Sequence, residues 1–485
     1  MYRILNVLHV MGGIVALFGL SLLVPLGVSW HLQDGALAAY DEALAICLAG
    51  GLLLWVVTRR FRRELNARDG FLLVVMIWIG LPAVAMLPLY LHIPGLSFTS
   101  AYFEATSGLT ATGATVLSGL DELPVSLNLW RVILHWIGGL GIIVLAVAIL
   151  PMLGIGGRQL FRAEIPGPFK DAKLTPRITE TAKGFWLIYT SFTVACVLAF
   201  KACGMDWMDA IIHALSTLSL GGFSSHDASF GYFDSPLLEA VAMGFMLIAG
   251  ISYVSHFSAW RNRSFAAYLR APEARLFVTA LFASGFGLAV FLWLHGVYPD
   301  FLTALRYAMF NTFSVATTLG FSNTDYGAWP VFAPLWMLML AAFATCSGST
   351  GGGIKMIRVL LMAKQMLREL TLLLHPNAVT PFKVGGQIVP NRVVFAVLAF
   401  MSFYGLSILA MVFLFTLSGL DLLTALSAAV ACINNTGPGL NQVGPATTYA
   451  NLNDFQLWLC TFAMLLGRLE LVTLFVVFTP RFWRE

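Results

Sequence analysis

Charge is what this chain has least of. Asp, Glu, Lys and Arg make up 11% of its 485 residues, against 59% hydrophobic ones, and its mean hydropathy is +0.82. A soluble domain carries about 25% charged residues, so that class is excluded, and no segment is long or polar enough to form a soluble enzyme domain. Phosphate-loop and dinucleotide fingerprints are missing, as is any constellation of nucleophile or metal ligands that a membrane-embedded enzyme would need. The chain is therefore not expected to be an enzyme or to carry an organic cofactor. Its six cysteines, Cys47, Cys196, Cys203, Cys346, Cys432 and Cys460, lie scattered in apolar stretches without a CxxC pair. That spacing argues against a disulfide framework and a zinc site.

What remains is a polytopic membrane protein. The formal charge is only +4, and its distribution matters more than its sum. Lys and Arg cluster at Arg59 to Arg68, Arg158 to Lys183, Arg261 to Arg275, Lys355 to Arg392 and at Arg481 and Arg484. Acids such as Asp34, Asp121, Asp206, Asp227, Asp300 and Asp421 fill the loops between. By the positive-inside rule the basic segments and both termini are cytoplasmic, and the acidic loops concentrate cations on the outer side. These clusters follow membrane loops, so no nucleic-acid partner is expected. The first apolar run, Val7 to Val28, precedes Ala36-Leu37-Ala38, which faintly resembles a cleavage site; its length favours a retained helix over a signal peptide.

Spans of about twenty apolar residues predict roughly ten crossings. Two, near 5–29 and 43–59, form an N-terminal hairpin (1–69). Four units follow, 70–182, 183–272, 273–392 and 393–485, each read as outer helix, short half-helix ending at Gly, and inner helix. The predicted fold class is thus an all-α polytopic membrane protein, a two-helix hairpin plus four helix–pore loop–helix repeats. Periodicity of about a hundred residues marks an internal repeat. Connectors such as Ile165 to Arg177 and His375 to Gly386 separate the units on the cytoplasmic side.

The repeated element carries the chemistry. AYFEATSGLTATG (Ala101 to Gly113), AIIHALSTLSLGG (Ala210 to Gly222), AMFNTFSVATTLG (Ala308 to Gly320) and ALSAAVACINNTG (Ala425 to Gly437) each begin with Ala and end on Gly. Each has a small hydroxyl or amide three places earlier: Thr110, Ser219, Thr317 and Asn434. Non-helical backbone at membrane depth is tolerated only where it is buried or lines a watery cavity. A half-helix descending from the outer surface aims its negative end at the membrane centre. The carbonyls that follow, at Ala111 and Thr112, Leu220 and Gly221, Thr318 and Leu319, and Asn435 and Thr436, can then replace the hydration shell of a cation. Gly113, Gly222, Gly320 and Gly437 supply the positive-φ conformations this needs. Side chains at these positions vary in kind, which favours main-chain oxygens as ligands. The alternative for any single Gly is close helix packing; four in the same repeat position imply a cation-conducting pore.

The succession TATGAT, SLGGFS, TTLGFS and NNTGPG, each between apolar helices, resembles the selectivity-filter series of the Trk/Ktr/HKT potassium-transporter superfamily, most closely its bacterial Trk-type uptake branch. The likeness covers essentially the whole chain. It implies a single chain folding as a pseudo-tetrameric channel in the bacterial inner membrane and assembling as a homodimer, with potassium ions held at the positions just named. It also implies a cytosolic regulatory subunit binding NAD or ATP/ADP. In that superfamily a Ser in place of the first filter Gly accompanies sodium permeation; here Gly113 is Gly, which favours potassium. Leu319 and Pro438 depart from the pattern and leave the filter shape open.

A second feature is TCSGSTGGGIKMIR (Thr345 to Arg358), within the third inner helix. Ser347, Gly348, Ser349, Thr350, Gly351, Gly352 and Gly353 should break that helix, since each Gly costs about 1 kcal/mol relative to Ala. A static kink and a movable gate both fit these residues; the family resemblance implies the gate. Lys355 either reaches the cavity or snorkels to the cytoplasmic edge. Arg468 lies inside the last apolar run with Glu470 two residues on, a spacing that does not favour a pair on one helix. Such a charge marks a functional site by default: Arg468 either projects beneath the filter as a barrier to cations or bridges to another helix. Glu104, His213 and Asn311, nine places before their Gly, are expected to satisfy hydrogen bonds around the half-helices rather than bind ions. An ion-coupled symporter also uses broken helices and stands as the competing function, although Glu470 is the only clear acid deep in a helix.

Overall fold

The computed structural model describes residues 2–63, 65–141, 178–378, 380, 382–384 and 387–483, and the connector Ile165 to Arg177 lies outside them. The fold is all-α, apart from a small antiparallel hairpin of Lys383–Val384 and Gln387–Ile388. Among the described residues six helices are long and apolar enough to cross a membrane: Arg3–Leu32, Leu37–Phe61, Arg68–His92, Ala182–Ala202, Pro272–Leu294 and Asn391–Leu417. The first two form the N-terminal hairpin and start earlier than their hydropathy suggests. The other four are the outer helices.

Between each outer helix and the next inner helix lies a short half-helix: Phe98–Leu109, Trp207–Ser219, Phe301–Ala316 and Leu422–Asn434. All four start the same way. Ser97, Asp206, Asp300 and Asp421 accept the backbone N–H of the residue three places on, which satisfies one of the free donors of the first turn. Three of these caps are carboxylates, favoured at the positive end of a helix.

The inner helices differ from expectation. Val125–Gly139, Pro236–Gly250 and Asp454–Arg468 have 15 residues each and Phe332–Phe343 has 12. At about 1.5 Å per residue none spans the ~30 Å hydrocarbon core. The sequence pointed to a break only in the third, yet all four stop. The first ends in Gly138-Gly139-Leu140-Gly141, with Gly141 at φ 90°. The second bends by 89° before Tyr253–Asn262. The third gives way to the Gly-rich loop, and the fourth turns at Glu470 and Leu471, which have φ 52° and 42°. Apolar composition continues across these breaks, so hydropathy alone reads through them.

Each half-helix packs on the inner helix of the preceding unit: the second on the first, the third on the second, the fourth on the third, and the first on the fourth. That succession closes a ring. Around it one buried apolar cluster joins the hairpin with the first and fourth units, through Leu73, Phe103, Trp130, Ala428 and Met464. Another joins the second and third through Phe200, Leu218, Phe277 and Phe313. The hairpin itself closes on small residues: a Cβ at Gly51 would stand 2.6 Å from the backbone nitrogen of Ala16.

Gly51→Val should therefore overpack the hairpin and destabilise it by about 1–3 kcal/mol. A lower melting midpoint of the purified protein is the expected reading.

Candidate ion site and gate

The four half-helices end in one and the same backbone path. Ala111, Leu220, Thr318 and Asn435 are left-handed, with φ of 51°, 53°, 66° and 54°. Two residues on, Gly113, Gly222, Gly320 and Gly437 have φ of 83° to 88°. The residue between them donates its N–H five places back: Thr112 to Ser107 (2.9 Å), Gly221 to Ser216 (3.0 Å), Leu319 to Ser314 (2.9 Å) and Thr436 to Ala431 (2.9 Å). This is the six-to-one closure that ends helices in a Schellman turn. The small polar side chains three places before each Gly bond within their own unit, and Thr110 Oγ1 also meets Thr112 Oγ1 at 2.7 Å. Thr110, Ser219 and Thr317 donate to the carbonyls four places back, and Asn434 accepts from Tyr404 at 2.9 Å.

The segments meet in a closed circle. A Cβ at Gly113 would run into the carbonyl oxygen of Gly221, at Gly222 into that of Leu319, at Gly320 into that of Thr436, and at Gly437 into that of Thr112. Every glycine thus abuts the main-chain oxygen of the next unit, and the fourth returns to the first. Among the described residues no hydrogen bond is donated to the carbonyls of Ala111, Thr112, Leu220, Gly221, Thr318, Leu319, Asn435 or Thr436. Leu319 is fully buried in the apolar cluster behind the turn, so its bulk leaves the backbone path unchanged. Pro438 packs its Cδ beside Gly320.

Polar side chains tie each returning strand to its half-helix. Glu104 accepts from Thr115 Oγ1 (2.9 Å) and the Val116 N–H (3.0 Å); His213 Nε2 lies 2.8 Å from Ser224 Oγ; Asn311 donates to Asn323 at 2.6 Å. In the fourth unit Ser427 accepts the Leu440 N–H at 2.9 Å. These are hydrogen-bonding roles, as expected. Sequence reasoning missed Arg131. It is 1% exposed, its Nε is 2.9 Å from Glu104, and it lies over the Phe223 ring. A lone Arg in the apolar run LNLWRVIL, with a lone Glu one half-helix earlier, was the available signal.

On the side where the half-helices begin, a cavity of about 200 Å³ opens over the four glycines. At its rim His226 has a carboxylate on each ring nitrogen, Asp121 at Nδ1 and Asp209 at Nε2 (3.2 Å). Both nitrogens must then donate, which makes the ring an imidazolium. Burial alone would push its pKa down, but the bonds and charges of Asp209 and Asp121 outweigh that and hold it above the usual histidine range.

On the opposite side, residues Ala344 to Lys355 form a non-helical loop against the underside of the circle. Thr350 Oγ1 donates to the Leu218 carbonyl (3.0 Å), and the Gly352 N–H to Thr318 Oγ1 (2.9 Å). A Cβ at Gly351 would stand 3.0 Å from the Thr317 carbonyl, and one at Gly352 would strike that of Asn434. The loop therefore touches the ends of the second, third and fourth half-helices. Inside it, Ser349 Oγ donates to Cys346 (2.7 Å) and Gly348 accepts the Tyr253 N–H (2.8 Å). Lys355 is buried and turns back to the Gly351 carbonyl instead of snorkelling.

Arg468 lies beside this loop. Its guanidinium donates to the carbonyls of Thr350 (3.3 Å), Gly139 (2.8 Å) and Gly138, joining the loop to the break in the first inner helix. Glu470 pairs with Arg358 at 2.8 Å, on the helix that follows the loop. The structure thus brings together all the residues singled out for the circle and the loop.

Known proteins place this arrangement. The family model described as "TrkH: Cation transport protein" matches residues 38–485. The Trk system potassium uptake protein TrkH of Salmonella typhimurium is 46% identical over 98% of this chain and 99% of its own length. The TrkG protein of Escherichia coli is 37% identical over 99% of this chain and 98% of its own. The crystal structure of the potassium transporter TrkH from Vibrio parahaemolyticus superposes with a TM-score of 0.89 at 42% identity, covering 99% of this chain and all of that one.

The imidazolium bridge sets a pH dependence. A group held above its unfolded pKa of about 6.5 contributes stability below that value and loses it as pH rises through the folded one. The melting midpoint should fall as pH rises above about 6.5, and His226→Gln should abolish most of that fall; an unchanged slope would refute the bridge.

Proposed function

This chain belongs to the TrkH family of cation transport proteins, and on that premise we propose that it takes up potassium through a channel-like pore whose filter is the circle of four glycine turns. The observation that carries the reading is the set of carbonyls at Ala111, Thr112, Leu220, Gly221, Thr318, Leu319, Asn435 and Thr436, which accept no hydrogen bond among the described residues where four units meet. Eight oxygens at the negative ends of half-helices suit a dehydrated alkali cation. On this reading the chain is a hairpin (1–69) and four pore units (70–182, 183–272, 273–392 and 393–485) in a pseudo-tetramer. It works as a homodimer in the inner membrane with both termini cytoplasmic. The Gly-rich loop with Lys355 and Arg468 is the gate, and a cytosolic nucleotide-binding Trk subunit on the basic face controls it.

A coupled symporter would need a titrating acid near the ion path. Glu104 beside the circle and Glu470 below it are each held by an arginine, Arg131 and Arg358, which supports conduction over coupling.

The test is ion flux through the purified protein in liposomes, with and without the cytosolic subunit. Potassium flux well above sodium flux is expected without any coupling ion; a strict dependence on a proton or sodium gradient would favour symport. Removing one positive charge from beside the path removes a repulsion on the order of 1–2 kcal/mol at an effective dielectric of about 20. Arg468→Ala should thus raise flux about tenfold or more, and unchanged flux in a folded variant counts against the barrier. Gly113→Ser sets a Cβ against the Gly221 carbonyl, and the ratio of potassium to sodium flux should drop.

A further inference from the structure

We propose that Glu273 is the positioning residue that clips the neck of the intramembrane loop, an inference that rests on reading that loop as the gate. Glu273 stands in the first turn of the third outer helix, Pro272–Leu294. A single carboxylate oxygen, Oε1, accepts two backbone N–H groups, from Ser347 at 2.7 Å and from Ile357 at 3.0 Å. Ser347 enters the loop and Ile357 leaves it. One atom of another helix therefore holds both ends of the Gly-rich segment together.

The main-chain to main-chain ties at the neck are between neutral groups, while Arg358 and Lys355 bond the Ile354 and Gly351 carbonyls within the segment. Met356 donates to Thr345 (2.9 Å), Ile354 to Ala342 (2.6 Å) and Cys346 to Gly250 (3.1 Å). Bonds to an ionised acceptor are roughly twice as strong as neutral ones, so the carboxylate dominates this set. The interior of the loop resists little, because Gly348 and Gly351 to Gly353 impose few conformational limits. What keeps the loop against Thr318 and Leu218 is its anchorage, and its neck is fixed from outside.

The location of that anchor gives it a regulatory meaning. Glu273 follows directly on the connector containing Arg261, Arg263 and Arg270, part of the basic face assigned to the cytosolic partner. A displacement of this connector moves the start of the outer helix and carries the clip with it. A partner binding there can thus release the gate without touching the pore.

The variants are Glu273→Ala, which removes the acceptor, and Glu273→Gln, which retains a carbonyl oxygen in its place. Amide hydrogen exchange is followed by mass spectrometry on peptides covering 345–358 in the full chain, beside potassium and sodium flux in liposomes without the cytosolic subunit. Glu273→Ala should speed exchange at the loop about tenfold, equivalent to about 1.4 kcal/mol, and raise basal potassium flux. The potassium-to-sodium ratio should hold, because the filter is untouched. Glu273→Gln, which keeps an acceptor without its charge, should fall between the two, exchanging about threefold faster than the parent. Unchanged loop exchange in Glu273→Ala overturns the clip, as does a Gln variant exchanging as fast as the Ala one. Should Glu273→Ala not purify as a monodisperse protein, Glu273→Asp, one methylene shorter, decides: faster loop exchange supports the clip and parental exchange overturns it. Failure of the parent vesicles to pass potassium would instead overturn the transport reading, and the exchange measurement does not depend on that.

Discussion

Four glycines pressed against four carbonyl oxygens set the terms for everything around them. No Cβ fits at Gly113, Gly222, Gly320 or Gly437, because the main chain of the next unit occupies that space. The same close approach requires each half-helix to end in two positive-φ residues, a costly path for Ala111, Leu220, Thr318 and Asn435. The six-to-one hydrogen bonds and the back-bonded hydroxyls of Thr110, Ser219 and Thr317 hold that path. Behind it, Glu104 with Arg131, His213 with Ser224, and Asn311 with Asn323 fix the strand that leaves each turn. Among the described residues nothing donates to the carbonyls of the turns themselves.

The inner helices answer the same constraint from below. Each stops short at the level where the circle ends, and the freed backbone is used rather than wasted. Gly138 and Gly139 offer carbonyls to Arg468, Gly250 accepts from Cys346, and the third break becomes the loop that closes the underside. The positive charge of Arg468, the buried Lys355 and the pair of Arg358 with Glu470 all lie along this loop. On the proposed reading, a loop rich in glycine and held by a few polar ties is the part suited to move. Its mobility then depends on those ties.

Much of this was legible in the chain. Composition fixed the membrane class, and the glycine-ending segments located the circle, because a backbone requirement for Gly leaves a mark at one position per unit. The loop was visible for the same reason. Other features left weaker marks. The caps Asp206, Asp300 and Asp421 read as ordinary loop acids, since capping depends on an offset of three residues that charge counting ignores. Breaks in the first, second and fourth inner helices lie in apolar sequence. Arg131 and Glu273 draw their meaning from partners on other helices. Glu273 was hidden in a segment notable for arginine, and only the fold shows which two amides it holds.

The central claim is that main-chain oxygens of the four turns take the place of water around a potassium ion. Anomalous scattering from crystals grown in rubidium tests it most directly, since rubidium stands in for potassium and scatters at an accessible edge. The account predicts a peak on the axis, shared among the carbonyls of Thr112, Gly221, Leu319 and Thr436. Rubidium found only in the acidic mouth, with none among those oxygens, would contradict it.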